Sequence, residues 1–260
     1  MMDLYTKEEG GFKYIETNPE KETTLLLLHG LFGALSNFKT IIDRFSGKIN
    51  VVVPLLPIFE LPLRKLSVTG LVDHVNHFVR FKNLSKVNLV GNSLGGHVAI
   101  LFALDRPDIL RSITLTGSSG LFEAALGSTF PKRGNYEFVQ KKTESTFFDP
   151  RVATKELVDE VYDIVNDRNK AIRVIGIAKS AMRHNIGDRL FHIERPALLV
   201  WGIQDTITPA FVGEKFKELL PDARLFLLDH CGHAPMMEHP KEFNRLLYQF
   251  LLEIREINEA

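Results

Sequence analysis

Six apolar runs constrain what this chain can fold into. Each is nearly continuous in hydrophobicity instead of alternating with polar residues: "TTLLLLHG", "INVVVPLLP", "KVNLVGNS", "RSITLTGSS", "RPALLVWG" and "ARLFLLDH". Such runs are typical of strands in a parallel sheet, because helices cover both faces of the sheet. Segments of helical period lie between most of the runs. The order strand, helix, strand therefore predicts an α/β fold with a mostly parallel sheet flanked by helices.

Residues 121–190 interrupt this alternation. They show mostly helical pattern and no convincing buried strand, and they are too many for a structureless loop. An all-helical insertion between two strands would lie over the carboxyl ends of the sheet, where open parallel sheets bind ligands. We therefore predict a core domain of residues 1–120 and 191–260 and a helical cap, or lid, of residues 121–190. A helical decoration remote from any site is the alternative.

Charge and composition argue against several classes of partner. The chain has 32 basic and 32 acidic residues and a formal net charge of zero, so a nucleic-acid partner is not expected. The N-terminus lacks the apolar segment of a signal peptide, and no apolar run approaches the ~20 residues that span a bilayer. The only cysteine, Cys231, cannot form an internal disulfide. We expect a cytoplasmic protein with no membrane partner, and the sequence leaves its oligomeric state open.

Ser93 lies where the third apolar run meets a helical segment. The sequence Gly91-Asn92-Ser93-Leu94-Gly95 fits the G-x-S-x-G pattern of a nucleophile elbow, a sharp turn that lifts the serine hydroxyl above the sheet edge. The amide of Leu94 and the positive end of the helix would stabilise negative charge at this point. The alternative is a glycine-rich turn in which Ser93 is only a small residue or helix cap. The strand before it and the helix after it favour the catalytic interpretation.

A catalytic serine needs a base, and the base needs an acid that orients it. Among nine histidines, His233 follows the last apolar run, where a loop can lean over the carboxyl edge of the sheet. Asp205 directly follows "LLVWG", whereas no acid directly follows "SITLTGSSG" and Asp229 is too close in sequence to reach the ring of His233. We therefore predict Ser93 as nucleophile, His233 as base and Asp205 as orienting acid. A simple turn-forming role is the alternative for Asp205.

The turn after the first apolar run supplies a second oxyanion donor. "LLLLHGLFG" ends a strand at His29 and turns sharply, which brings the amide of Leu31 to the edge where Ser93 lies. We expect His29 to brace the turn through hydrogen bonds. His97, on the helix after the elbow, should face away from the site. Cys231 is expected to be a small buried residue and not a nucleophile.

Taken together, these motifs resemble the α/β-hydrolase superfamily from Phe12 to Ile257, through "HGLFG", "GNSLGG", "WGIQDTITP" and "GHAPMMEHPKEFN". The resemblance implies an eight-stranded, mostly parallel sheet, a helical cap between the sixth and seventh strands, and no cofactor. Asn92 before the nucleophile, Asn37 and the "GH…EHP..FN" ending are similar to the carbon–carbon bond hydrolases of aromatic meta-cleavage pathways. The oxyanion loop, "GHAP" and "PLLPIFELPLRKLS" depart from those enzymes, and a carboxylesterase or thioesterase pocket fits equally well.

The function that follows is a serine hydrolase that cleaves a carboxylic ester or thioester of a small to medium hydrophobic carbonyl substrate. The alternatives are a carbon–carbon bond hydrolase acting on a 2-hydroxy-6-oxo-dienoate ring-fission product, and a slow-turnover ligand receptor or signalling protein. No H-E-x-x-H or clustered ligand spacing suggests a metal site. Lys179 or Arg183 of the cap could receive a substrate carboxylate, but a solvated helix face is expected for both. Candidate substrate contacts are Phe32, Asn92, Phe130, Phe147, Phe148, Met236 and Met237.

Overall fold

A single eight-stranded sheet organises the molecule. The computed structural model describes residues 5–32, 35–123 and 134–258. The strands are β1 Lys7–Glu9, β2 Phe12–Glu16, β3 Thr23–Leu28, β4 Asn50–Pro54, β5 Lys86–Asn92, β6 Leu110–Thr116, β7 Ala197–Gly202 and β8 Ala223–Leu228. Their order in space is β1-β2-β4-β3-β5-β6-β7-β8. β1 and β2 are antiparallel to their neighbours and all later pairs are parallel, which confirms the predicted fold class.

Helices connect the parallel strands. Within the described ranges they are α1 Lys39–Phe45, α2 Val68–Phe81, α3 Leu94–Asp105, α4 Tyr136–Glu144, α5 Lys155–Asn166, α6 Arg168–Arg183, α7 Ala210–Leu219, α8 Pro235–Glu238 and α9 Pro240–Glu253. Short 3-10 helices cover Leu35–Phe38, Leu63–Lys65, Pro150–Val152 and Gly187–His192. Among the described residues, no helix combines the length and the apolar character that a bilayer crossing requires.

Both faces of the sheet are covered, which explains the continuous apolar runs. Along β3, Leu26 and Leu28 join a cluster with α2, α3 and α7, while Leu25 and Leu27 join the cluster on the opposite face with α1 and α9. All four leucines are fully buried. β8 is different, because it is the last strand of the sheet, and its Phe226 is 40% exposed. An edge position of this kind is not visible in local hydropathy.

Three helices, α4 to α6, lie between β6 and β7, where the resemblance places a cap. Each is preceded by an N-cap residue whose side chain accepts hydrogen bonds from backbone N–H groups of the first turn. These residues are Asn135, Thr154 and Asp167. Val139, Val161 and Val165 form a small apolar cluster of their own, and Phe32 of the core packs against it. Val68 N–H donates to Ser180 Oγ at 3.1 Å, which adds a polar contact between core and α6. The division into core and cap domains stays a prediction.

Gly95 sets how closely α3 can approach β3. A Cβ at this position would lie 1.9 Å from the carbonyl oxygen of Leu28 and 2.6 Å from that of His29. Because both are backbone atoms, they cannot rotate out of the way. We expect Gly95→Ala to lower the free energy of unfolding by about 3 kcal/mol, which corresponds to a fall in Tm of roughly 6–12 °C. Thermal unfolding followed by circular dichroism measures this shift.

Gly47 provides the matched control for this substitution. A Cβ there would meet no atom within 4 Å, so Gly47→Ala should leave Tm almost unchanged. If Gly95→Ala shifted Tm no more than Gly47→Ala does, the close approach of α3 and β3 would not limit this position.

Candidate active site

Ser93 lies in a strained turn between β5 and α3. Its backbone angles are φ 54° and ψ −122°, a conformation that side-chain-bearing residues rarely adopt and that costs about 1–3 kcal/mol. Hydrogen bonds hold the turn in place: Ser93 N–H donates to Thr116 O at 3.1 Å, and Ser93 O accepts from Gly96 N–H at 3.0 Å and Ser119 N–H at 3.2 Å. The turn therefore has the geometry of a nucleophile elbow, anchored to the end of β6.

His233 and Asp205 form a buried acid–base pair. Asp205 follows β7, and its Oδ2 lies 2.9 Å from Nδ1 of His233. The two residues are 4% and 6% exposed respectively. Since a carboxylate only accepts hydrogen bonds, Nδ1 of the neutral ring must hold the proton, and Nε2 is left with a free lone pair. The pair therefore presents a base on the side of the ring away from Asp205.

Three donors fix the carboxylate of Asp205. Its Oδ1 accepts from Ile207 N–H at 2.8 Å and Thr208 N–H at 2.9 Å, and its Oδ2 accepts from Thr208 Oγ1 at 2.9 Å. Aspartate folds in this way when it caps a following turn. The turn-forming and the orienting roles of Asp205 are therefore compatible. Oδ1 binds the amides of the turn, and Oδ2 binds the ring of His233.

The end of β6 lies against both the serine turn and the histidine loop. Asn92 Nδ2 donates to Thr116 O at 3.1 Å and to His233 O at 3.2 Å. A Cβ at Gly117, where φ is +49°, would lie 2.9 Å from Nδ1 of His233, so this glycine leaves room for the ring. Among the described side chains, the ring of His233 bonds only to Asp205 and Thr208, not to the Ser93 hydroxyl. Such catalytic bonds are often long without substrate and shorten in the complex.

Opposing effects act on the pKa of His233. Burial lowers it, but the charge and hydrogen bond of Asp205 and the charges of Glu123 and Glu238 raise the pKa above its ordinary value. Glu123 follows β6 in the chain and is half-buried. Burial raises the pKa of its carboxyl, against the charge of His233 and a hydrogen bond from Ser119. The histidine therefore faces a negatively polarised site.

His29 braces the turn opposite Ser93, as expected. Its Nδ1 lies 2.8 Å from Gly30 O, and its Nε2 accepts from Leu56 N–H at 2.9 Å. The two bonds require the proton on Nδ1. A Cβ at Gly30 would lie 3.2 Å from Cβ of Ser93, so this turn touches the elbow directly. Leu31 follows this turn directly, and Leu94 begins α3; that their two amides face an oxyanion stays a prediction.

Cys231 is buried, as predicted. Burial, together with the charges of Glu238 and Asp205, raises the pKa of its thiol far above the ordinary value. The thiol is therefore uncharged at neutral pH and a poor nucleophile. The described residues contain no group of three or more His, Cys, Asp or Glu side chains that could hold a metal ion.

The predicted substrate contacts differ in their surroundings. Asn92 is buried, and its amide nitrogen bonds to backbone oxygens, so it ties the elbow to the histidine loop. Met236 is 1% exposed and packs in the core cluster of α1 and α9, because α8 lays it against the sheet. Contact of either residue with substrate stays a prediction.

The aromatic candidates lie at three different places. Phe32 packs on the cap cluster, and Phe147 and Met237 are partly buried against the core cluster of α1 and α9. The ring of Phe148 is 45% exposed and lies edge-on to His230 at 5.0 Å. Their contact with substrate stays a prediction. Phe130 lies outside the described residues.

Sequence reasoning missed several residues of the site. Glu123 was overlooked because no acid directly follows the β6 run, yet a short loop returns it to His233. Thr208 follows Asp205 at the spacing of a side-chain cap, a signal that could have been used. Glu238, in "HAPMME", bonds to the backbone on both sides of His233. Nothing in the local pattern distinguishes it from a solvated helix residue.

His97 and Asp229 bond to residues outside the triad, as expected. His97 Nε2 lies 3.1 Å from Nδ1 of His184 at the end of α6. Burial and the charge of His184 lower the pKa of His97 to about 3. The carboxylate of Asp229 accepts from Gln204 Nε2 and His230 N–H, both at 2.8 Å, and not from His233.

Known proteins share this fold, and their sequences align with most of the length of this chain. Residues 25–246 match the model of the alpha/beta hydrolase family. The chain is 42% identical to an alpha/beta hydrolase enzyme from the metagenome of sediments from the lagoon of Mar Chica, Morocco, with 96% of this chain and 98% of that chain covered and a TM-score of 0.78.

Curated relatives include enzymes of two kinds. The chain is 29% identical to a 2-hydroxy-6-oxononadienedioate/2-hydroxy-6-oxononatrienedioate hydrolase of Paraburkholderia phymatum, over 94% of this chain and 93% of that protein. It is 25% identical to Lipase 3 of a Moraxella species, over 88% of this chain and 77% of that protein. The relatives therefore include a meta-cleavage type hydrolase, the branch that the sequence resembles. By the family match and the shared fold, this chain belongs to the alpha/beta hydrolase family.

Proposed function

We propose that this chain is a serine hydrolase that cleaves a carboxylic ester or thioester of a small to medium hydrophobic substrate. The observation that supports it most is the buried 2.9 Å pair of His233 and Asp205 on the same sheet edge as the strained turn of Ser93. A base held in one tautomer beside a serine at a helix N-terminus is the arrangement that acyl transfer needs.

The reaction has two halves. In the first, His233 Nε2 takes the proton of Ser93 Oγ, which attacks the substrate carbonyl, and the N–H groups of Leu31 and Leu94 donate to the oxyanion. The bond to the alcohol or thiol then breaks, and His233 returns the proton to the leaving group. In the second half His233 deprotonates water, which attacks the acyl group on Ser93. The acid leaves and Ser93 regains its proton.

Charge favours a neutral ester over a dicarboxylate. The Paraburkholderia relative is named for a dienedioate, a class with two carboxylates. In this chain the groups that act on His233 besides Asp205 are the carboxyls of Glu123 and Glu238, while Lys179 and Arg183 of α6 are exposed, in keeping with a solvated face. An anionic substrate would therefore lie near negatively charged carboxyl groups. Neither Lys179 nor Arg183 would supply a buried positive charge to balance it. Carbon–carbon bond cleavage is therefore the second candidate.

A substrate series tests the proposal. We expect steady turnover of p-nitrophenyl esters from acetate to dodecanoate, with an optimum at a short or medium chain, and little hydrolysis of a 2-hydroxy-6-oxo-dienoate. Faster turnover of the dienoate than of every ester would favour the second candidate. Binding without turnover of either class would favour a slow receptor. A cytoplasmic location belongs to the same proposal, supported by the single free thiol of Cys231.

The pH dependence follows from the raised pKa of His233. Only the neutral ring can accept the serine proton, so kcat/KM should fall as pH decreases through that pKa. Because the shift is upward, we expect the acid limb of the profile to bend above pH ~6.5, the ordinary value for histidine. Glu123→Gln removes one of the raising charges and should move the bend to lower pH.

Glu242, which is half-buried and pairs with Arg245, supplies the control, since Glu242→Gln removes a charge that is not among those acting on His233. A bend below pH ~6 in the wild type, or equal bends in Glu123→Gln and Glu242→Gln, would contradict this electrostatic account.

A further inference from the structure

Glu238 touches both the loop of His233 and the turn that follows α4. It is the last residue of α8, and its Oε1 accepts from Gly232 N–H at 2.9 Å and Ala234 N–H at 3.4 Å. These are the two residues that flank His233. Its Oε2 accepts from Phe148 N–H at 2.7 Å, in the turn that follows α4. One carboxylate thus uses both of its oxygens, on two different parts of the chain.

The same two segments are in direct backbone contact. His233 N–H donates to Thr146 O at 3.0 Å, so the base itself is tied to the turn of residues 145–148. A Cβ at Gly232 would lie 2.7 Å from Thr146 O and 2.9 Å from Phe148 N. The loop and the turn therefore pack backbone against backbone, and a small movement of one must displace the other.

The turn of residues 145–148 continues directly from α4 and is hydrogen-bonded to its last residues. Thr146 N–H donates to Thr143 O and Phe147 N–H to Glu144 O, both at 3.1 Å. Thr206, beside Asp205, donates from Oγ1 to Ser145 O at 3.5 Å. The loops that hold the acid and the base thus both end against this turn, and Glu238 supplies the one charged group in these contacts.

We propose that Glu238 is a positioning residue that couples the placement of His233 to the docking of the 145–148 turn of the cap. The inference rests on the proposed role of His233 as base. Glu238 does not touch substrate; it fixes the two amides on either side of His233 and, through the other oxygen, the turn that covers them. Loss of either acceptor should loosen both segments together.

Glu238→Gln separates this role from simple space-filling. A glutamine has the same shape but only one acceptor oxygen, while its amino group donates. It can therefore satisfy either the loop amides or Phe148 N–H, but not both. Because a misplacement of about 1 Å can reduce a rate by ~100-fold, we expect kcat for p-nitrophenyl butyrate to fall by about 10- to 100-fold, with KM changed less than about threefold.

The pH profile gives a second readout that a purely structural role would not move. The groups that face His233 are Asp205, Glu123 and Glu238. Removing the Glu238 charge leaves the other two, so the acid limb of kcat/KM should shift to lower pH. Glu238→Asp keeps the charge but is too short to reach both segments, and should lower kcat with a smaller shift of the limb. Glu238→Asp also tests the positioning role if Glu238→Gln does not fold.

Hydrogen exchange tests the coupling without any assay of activity. We expect Glu238→Gln to speed amide exchange in both segments 145–149 and 231–235, with the strands of the sheet unchanged. Glu242→Gln, four residues later in the first turn of α9, should leave both segments as in the wild type. Faster exchange in only one segment, or in neither, would overturn the coupling.

Turnover is measured per active site, titrated with a fluorophosphonate. Unchanged turnover per titrated site, with only a lower Tm, would overturn the positioning role. If the wild type hydrolysed no ester at all, the proposed function would fail, whereas the exchange experiment would still decide the coupling between the loop and the turn.

Discussion

Replacing Ser93 by alanine is expected to abolish ester hydrolysis, with kcat falling by about 10⁵- to 10⁶-fold. The substitution removes the only atom that can form the acyl-enzyme and leaves the rest of the site intact. The amides of Leu31 and Leu94 and the pair of His233 and Asp205 would remain, so a residual acceleration of about 10³- to 10⁴-fold over water is expected from binding and oxyanion stabilisation. Steady-state turnover of p-nitrophenyl butyrate at matched concentrations of folded protein measures the loss.

Two further measurements distinguish loss of the nucleophile from misfolding. A fluorophosphonate should add one label to the wild type and none to Ser93→Ala. Ser93→Gly should be equally inactive but more stable than the wild type by about 1 kcal/mol, because glycine adopts the observed φ of 54° without the clash of a Cβ. Retention of more than about 1% of wild-type turnover in Ser93→Ala would remove Ser93 from the proposed role.

The turn at Ser93 could be predicted from the sequence because all of its signals are local. The motif around it, the apolar run of β5 and the helix after it are all local, so their agreement was visible without coordinates. The same holds for Asp205 and His233, because the carboxyl ends of parallel strands meet at one edge and the chain order then leaves few choices. Residues that act from the ends of strands are thus accessible to sequence reasoning.

Residues that act through long-range contacts were not accessible. Glu238 meets Phe148, 90 positions away in the chain, and Glu123 reaches His233 from a loop that the hydropathy pattern does not place. Asn92 lies beside the nucleophile in sequence, but its amide turns toward β6 and the histidine loop. A linear pattern gives the order of side chains and not the direction in which each one points.

Replacing Asp205 by asparagine is expected to lower kcat by about 10⁴-fold with little change in stability. The hydrogen bonds of Asp205 determine how the asparagine would orient. Two backbone amides, those of Ile207 and Thr208, donate to Oδ1, so the amide oxygen must take this place. The amino group is then directed at Nδ1 of His233, where Oδ2 now lies at 2.9 Å. Because it donates, it would force the ring proton onto Nε2.

A ring protonated on Nε2 has no lone pair on that atom to accept the Ser93 proton. His233 would therefore keep its position but could no longer act as the base. Asp229→Asn is the matched control, since Asp229 directly follows β8 but bonds to Gln204 and His230; it should retain most of the activity. An Asp205→Asn variant as active as Asp229→Asn would contradict the assignment of Asp205. A Tm within about 3 °C of the wild type for both variants would establish that the loss is one of chemistry and not of folding.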